Sequence, residues 1–131
     1  MSFLLDTNVC VAFLNERDAT MRAHFASTSP DDIKLCSVVK AELVYGARNS
    51  ARVSENLDKL QRFFEPFESL PFDDAAADQY GVIRAQARRA GTPIGSNDLL
   101  IASIALSADL VLVTRDQDEF RRVAGLRVER W

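Results

Sequence analysis

Four acidic residues spaced along the chain, Asp6, Glu42, Asp98 and Asp116, are the side chains best suited to chemistry. Asp6 follows the apolar run Phe3-Leu4-Leu5, and Asp116 follows the run from Leu110 to Thr114. Both read as acids just past the carboxyl ends of buried strands, the place where open α/β sheets bind their ligands. Carboxylates gathered at such an edge repel one another unless a cation holds them, and hard divalent cations such as Mg²⁺ prefer oxygen ligands. The chemistry this implies is metal-assisted work on phosphate groups.

Each acid also has an ordinary reading. Asp6 opens Asp6-Thr7-Asn8, which suits an Asx-turn or helix cap as well as a ligand with Thr7 and Asn8 as supporting polar groups. Glu42 shares a helical stripe with Val38 and Tyr45, so an acid interrupts an apolar face; the alternative is a Glu at the margin of that stripe, reaching solvent or Arg48. Asp98 lies in the first turn of an apolar helix, where the dipole favours an acid, and the same helix end aims it at the cleft beside Asn97. Asp116 stands in Thr114-Arg115-Asp116-Gln117-Asp118-Glu119, a capped and solvated helix start by itself. In a parallel sheet, however, its strand ends beside the first, which draws Asp116 towards Asp6. Asp118 and Glu119 are assigned to the exposed first turn of the short helix and not to the ligand set.

The elements that must position these acids alternate along the chain. Strands are expected at 3–5, 33–36, 67–70, 110–114 and near 126–128. Helices are expected at 9–14 (capped by Thr7 or Asn8), 19–27 (capped by Asp18), from the Ser37 cap to about Asn49, and over about 53–64. A long helix runs between Asp73 as cap and Gly91, and an apolar one, Leu99 to Ala108, follows the Ser96 cap. Strands separated by helices imply an α/β fold with a mostly parallel sheet and helices on both faces.

Composition narrows the class. The chain has 131 residues, 47% of them hydrophobic, enough for one domain with a real core. It lacks an 18-residue apolar stretch and a signal peptide, so a soluble cytoplasmic protein is expected. Cys10 and Cys36 sit in apolar segments without metal-ligand spacing and read as core residues. One histidine, His24, excludes most His-based catalysis, and a net charge of −3 does not advertise a nucleic-acid binder.

Longer motifs carry a family likeness. Leu4-Leu5-Asp6-Thr7-Asn8, Ala41-Glu42-Leu43-Val44-Tyr45-Gly46-Ala47, the run from Gly91 to Asp98 and the run from Val111 to Asp116 resemble PIN-domain ribonucleases. More narrowly they resemble VapC toxins of bacterial type II toxin–antitoxin systems, in the right order and through the terminal segment Val123 to Trp131. The resemblance implies a single PIN domain over 1–131, with a PIN-like sheet of about five strands. It implies Asp6, Glu42, Asp98 and Asp116 as catalytic metal ligands, supported by Thr7, Asn8 and Thr114. The implied cofactor is Mg²⁺, with Mn²⁺ as substitute, and the implied activity is endoribonucleolytic, leaving 5′-phosphate and 3′-hydroxyl ends. The implied substrate is structured RNA such as tRNA, including the initiator tRNA anticodon stem-loop, so that translation is inhibited. The implied partners are a VapB antitoxin, a second copy in a homodimer, the toxin–antitoxin hetero-oligomer, and operator DNA through the antitoxin.

Among the basic residues, Arg115 beside Asp116 is expected to contact phosphate, whereas Arg84, Arg88, Arg89, Lys40 and Arg48 read as a solvated face. Phe63, Phe64 and Phe67 suit core packing better than a dimer interface. A haloacid-dehalogenase-type phosphatase wants an Asp where Asn8 stands, and a receiver domain wants a lysine near Arg115. A catalytically silent protein that binds only antitoxin or nucleic acid is the remaining alternative, and metal-dependent turnover separates it from an enzyme.

Overall fold

The computed structural model describes residues 1–15 and 18–131. Five strands form one sheet: β1 (Phe3–Leu5), β2 (Ile33–Cys36), β3 (Glu68–Leu70), β4 (Val111–Val113) and β5 (Val128–Glu129). Their order is β3-β2-β1-β4-β5, and every neighbouring pair is parallel. The helices are α1 (Thr7–Leu14), α2 (Ala19–Ser27), α3 (Ser37–Arg48), α4 (Val53–Phe64), α5 (Asp74–Ala90), α6 (Ser96–Ser107) and α7 (Gln117–Phe120). Parallel neighbours need crossovers, and right-handed crossovers in opposite directions from β1 put α1–α4 on one face and α5–α7 on the other.

This order fixes where a site can form. From β1 the chain moves outward through β2 and β3, then returns to lay β4 on the other side of β1. The switch point lies between the carboxyl ends of β1 and β4, where the connections diverge and leave a crevice. Asp6 and Thr114 are the residues that immediately follow those two strands.

The core explains the apolar patterns. Leu4, Leu5, Leu35 and Leu112 are fully buried in the three central strands, each worth about 1.5–3 kcal/mol of transfer free energy. Helix α6 buries Leu99, Ile101, Ala102, Ile104 and Ala105, so it is apolar nearly all round because it is covered nearly all round. Its buried Ser103 hydroxyl donates to the Leu99 carbonyl at 2.6 Å, which satisfies it inside the helix. Cys10 and Cys36 are free, buried thiols, and burial pushes both up out of the range of a reactive thiolate. Phe63 and Phe67 pack with Phe13 and Phe25 in an aromatic cluster that also receives the C-terminal Trp131, so they serve the core. Among the described residues no helix is long and apolar enough to cross a membrane.

Helix ends correct several expectations. Asp18 and Asp73 cap α2 and α5 as expected, accepting from the N–H groups of Met21 and Ala76. The N-cap of α1 is Asp6, not Thr7 or Asn8: its extended backbone starts the helix, and its Oδ1 accepts from the Thr7 N–H at 2.8 Å. Ser37 and Ser96 are the first helical residues and do not cap; Cys36 and Gly95 hold those positions without a side-chain bond. A serine inside the first turn has an N–H that needs no intrahelical partner, so the helix extends back through it.

Gly91 closes α5 in the left-handed region, at φ 68°, and an added Cβ there would meet nothing within 4 Å. The cost of Gly91→Ala is therefore conformational alone, about 1 kcal/mol. Denaturant unfolding is expected to show that loss; an unchanged midpoint would contradict the assigned cap.

Candidate acidic site at the sheet edge

The site is built around a threonine that ties two strand ends together. Thr114, fully buried just past β4, donates its hydroxyl to Asp6 Oδ2 at 2.7 Å and accepts from the Asp116 N–H at 3.0 Å. The Asp6 N–H also bonds the Val113 carbonyl at 2.9 Å. Asp6 is thus held at both oxygens, by Thr7 and Thr114, and is only 4% exposed. Burial raises its carboxyl; the two hydrogen bonds oppose that, and the charges of Asp116 and Glu119 add to it.

Asp98 comes from the other side, on the first turn of α6. Oxygens of Asp98, Asp116 and Glu119 lie within 4.8 Å of one another. Burial, then the charges of Glu119 and Asp6, push Asp98 up to about 7, with Glu42 adding to the push. Asp116 is raised chiefly through its hydrogen bond with Glu119. For Glu119 burial acts upward, but the Gly95 N–H at 2.8 Å and the bonds with Asp116 and Asp98 outweigh it and hold it below the usual range. The three carboxyl groups interact closely enough that their titration belongs to the group as a whole.

Glu119 corrects the sequence reading, which left it in a solvated turn with Asp118. It is half-buried and faces the cluster, while Asp118 is exposed. Its signal was its position three residues after Asp116, one helical turn on the same side. Gly95 was also missed as a neighbour of the acids: its N–H donates to Glu119, and an added Cβ would stand in ordinary contact with two of them. A Cβ there would lie 3.6 Å from Asp98 Oδ2 and 3.7 Å from Glu119 Oε1.

Glu42 needs a second correction. The buried stripe of α3 is Val39, Leu43 and Ala47, and Tyr45 is 69% exposed. Glu42 is therefore no acid stranded in a core face. It is half-buried at the margin, lining a cavity with Thr7, and its charge reaches Asp98. Asn8 is exposed in the first turn of α1. Arg115 is ion-paired with Asp18, the cap of α2, so a phosphate there would have to share that guanidinium. Lys40 lies 4.7 Å from the Phe64 ring centroid.

These residues fit a hard divalent cation. The donors are all oxygen, burial and then the neighbouring negative charges raise Asp98, and Thr7 Oγ1 is buried without a hydrogen-bond partner. A pH dependence follows. With Asp98 raised from 3.8 to about 7, the folded protein keeps a proton that the unfolded chain has lost. In chelator, the Asp98 contribution to stability is fully present below about pH 4 and is lost as pH rises to about 7, while a bound cation opposes the loss. The lowered Glu119 acts oppositely, but only below the ordinary carboxylate range. Melting curves in EDTA are expected to drop between about pH 4 and 7, with Mn²⁺ raising the midpoint most at the alkaline end. A flat EDTA profile, or an Mn²⁺ effect independent of pH, would contradict the assignment.

An all-parallel sheet with acids converging on its switch point defines an oxygen-donor cation site of the kind used for phosphate chemistry. Residues 3–126 match the PIN domain family. The chain is 38% identical to the tRNA(fMet)-specific endonuclease VapC of Shigella flexneri, over 100% of this chain and 98% of that protein. It is 37% identical to the tRNA(fMet)-specific endonuclease VapC of Salmonella typhimurium over the same shares. Among solved structures, DNA-bound VapBC from Salmonella typhimurium superposes with a TM-score of 0.94 at 37% identity, covering 100% of this chain and 98% of that one. VapBC2 from Rickettsia felis, bound to a promoter DNA fragment, superposes with a TM-score of 0.94 at 34% identity, covering 100% and 99%. The chain belongs to the PIN-domain family and, within it, to the VapC proteins.

Proposed function

We propose that this protein is a Mg²⁺-dependent endoribonuclease toxin that hydrolyses phosphodiester bonds in tRNA and is neutralised by a VapB-type antitoxin. The observation that carries the reading is the convergence of Asp98, Asp116 and Glu119 beside Asp6 at the switch point of the sheet. The cation, Mg²⁺ with Mn²⁺ as substitute, would be held by Asp6, Asp98, Asp116 and Glu119, with Glu42 at the margin. When bound it supplies positive charge to an RNA phosphate and makes water a stronger nucleophile.

The protein's own part is to hold carboxylates where they would otherwise repel. Thr114 and the Thr7 N–H fix both oxygens of Asp6, and the Gly95 N–H fixes Glu119. Because these bonds are made before substrate arrives, little reorganisation is left for the reaction. The reading needs neither His24 nor a side-chain nucleophile.

Initiator tRNA, cut in its anticodon stem-loop, is the favoured substrate because two relatives, 38% and 37% identical to this chain, carry tRNA(fMet) specificity in their names. A homodimer, a toxin–antitoxin assembly and promoter DNA bound through the antitoxin follow from the likeness to VapBC complexes on DNA. Incubation with total tRNA and ribosomal RNA in Mg²⁺ or Mn²⁺, with cut ends sequenced, tests the substrate. One discrete anticodon-region cut is expected; cuts confined to ribosomal RNA would contradict the tRNA assignment.

A further inference from the structure

Two adjoining cavities begin at the margin of the acidic site, at Thr7 and Glu42. The first, about 360 Å³, opens beside Thr7 and Glu42 over Leu43 and Leu60. The second, about 730 Å³, runs between α2 and α4 over Phe13 and Phe63. They share Leu14, Asn15 and Lys59, so they form one continuous cleft. The far part carries three cations: Arg22 from α2, and Lys59 and Arg62 from α4. Among the described residues none of the three forms an ion pair, whereas Lys34, Arg52, Arg115 and Arg127 all do.

The arrangement on α4 follows from its sequence. Leu60 and Phe63 are buried, and Lys59 and Arg62 each precede one of them, so they flank the buried stripe and stand at the wall of the cleft. A chain of net charge −3 thus gathers three cations, without ion pairs among the described residues, in a cleft that begins at Thr7 and Glu42. The acids of the site repel a polyanion everywhere except at the cation they hold. A nucleic-acid strand therefore needs compensating charge close by, and three cations over an apolar floor supply it for phosphates, with room for riboses and bases.

We propose that this cleft is the track for a single-stranded segment of the RNA substrate flanking the cut, with Lys59, Arg62 and Arg22 binding successive phosphates. The proposal rests on the nuclease reading above. The test compares binding of a fluorescent single-stranded oligoribonucleotide to Asp6→Asn protein with and without Arg22→Gln, Lys59→Gln and Arg62→Gln. The triple substitution is expected to weaken binding about tenfold or more near 50 mM salt, and to reduce the slope of log affinity against log salt by about two. Mn²⁺ affinity and melting temperature are expected to stay unchanged, which separates lost phosphate contacts from lost folding. Unchanged affinity and slope overturn the track, even where the native protein cleaves RNA normally. Unchanged RNA binding with weakened capture of the antitoxin overturns it too, and gives the face to a protein partner. Failure of native protein to cleave any RNA, with the loss of binding still seen, removes the nuclease reading and leaves an RNA-binding cleft.

Discussion

The Asp6→Asn protein is expected to lose RNA cleavage by about a hundredfold or more while folding at least as well as the native chain. Loss of partners that merely orient a metal ligand costs 10–100-fold, and a buried ligand held at both oxygens should cost more. Stability moves the other way for a specific reason. Asn caps helices about as well as Asp, so the bond from the Thr7 N–H survives. Asp6 is buried and its carboxyl is raised, chiefly by that burial, so its charge is a burden on the metal-free fold that a neutral amide lifts. Cleavage rates and melting curves on the same preparation check both halves. Native-like cleavage by the folded variant would sink the role given to Asp6, and a lost fold would sink the account of its burial.

The second large effect concerns Glu119. Glu119→Gln is expected to weaken divalent-cation binding by about 10–100-fold and to slow cleavage at limiting metal, whereas Asp118→Asn changes neither. The pair discriminates because the two residues are neighbours in one short helix, yet only Glu119 faces Asp98 and Asp116. An amide at 119 still accepts from the Gly95 N–H, so loop geometry is retained and the charge alone is removed. Isothermal titration with Mn²⁺ reads the affinity directly. Equal affinities for both variants would return Glu119 to the solvated face.

What was legible in the chain follows from how local each signal is. The strands β1 and β4 announce themselves by apolar runs ending in an acid or a threonine, and α5 by its Asp73 cap and Gly91 stop. Parallel pairing followed from alternation, and with it the approach of Asp116 to Asp6 through Thr114. Pairings set by tertiary contact were out of reach. Arg115 looked available for phosphate because its partner Asp18 lies 97 residues away in sequence. Glu42 was placed on the wrong stripe because α3 presents its Val39-Leu43-Ala47 side to the core, and one residue of rotation changes which face is buried. Glu119 was discounted for its exposed neighbours, although its spacing from Asp116 already placed both on one side of a helical turn. The caps at Ser37 and Ser96 failed by a single residue, the usual uncertainty of helix ends.

The central claim is that cleavage depends on a cation held by this acidic group. The most direct test titrates Mn²⁺ into chelator-treated protein, reading bound Mn²⁺ by electron paramagnetic resonance and RNA cleavage on the same samples. Cleavage is expected to rise in step with occupancy, to vanish in EDTA, and to be lost together with Mn²⁺ binding in Asp98→Asn protein. Undiminished cleavage in EDTA, or full Mn²⁺ binding by the Asp98→Asn protein, would contradict it.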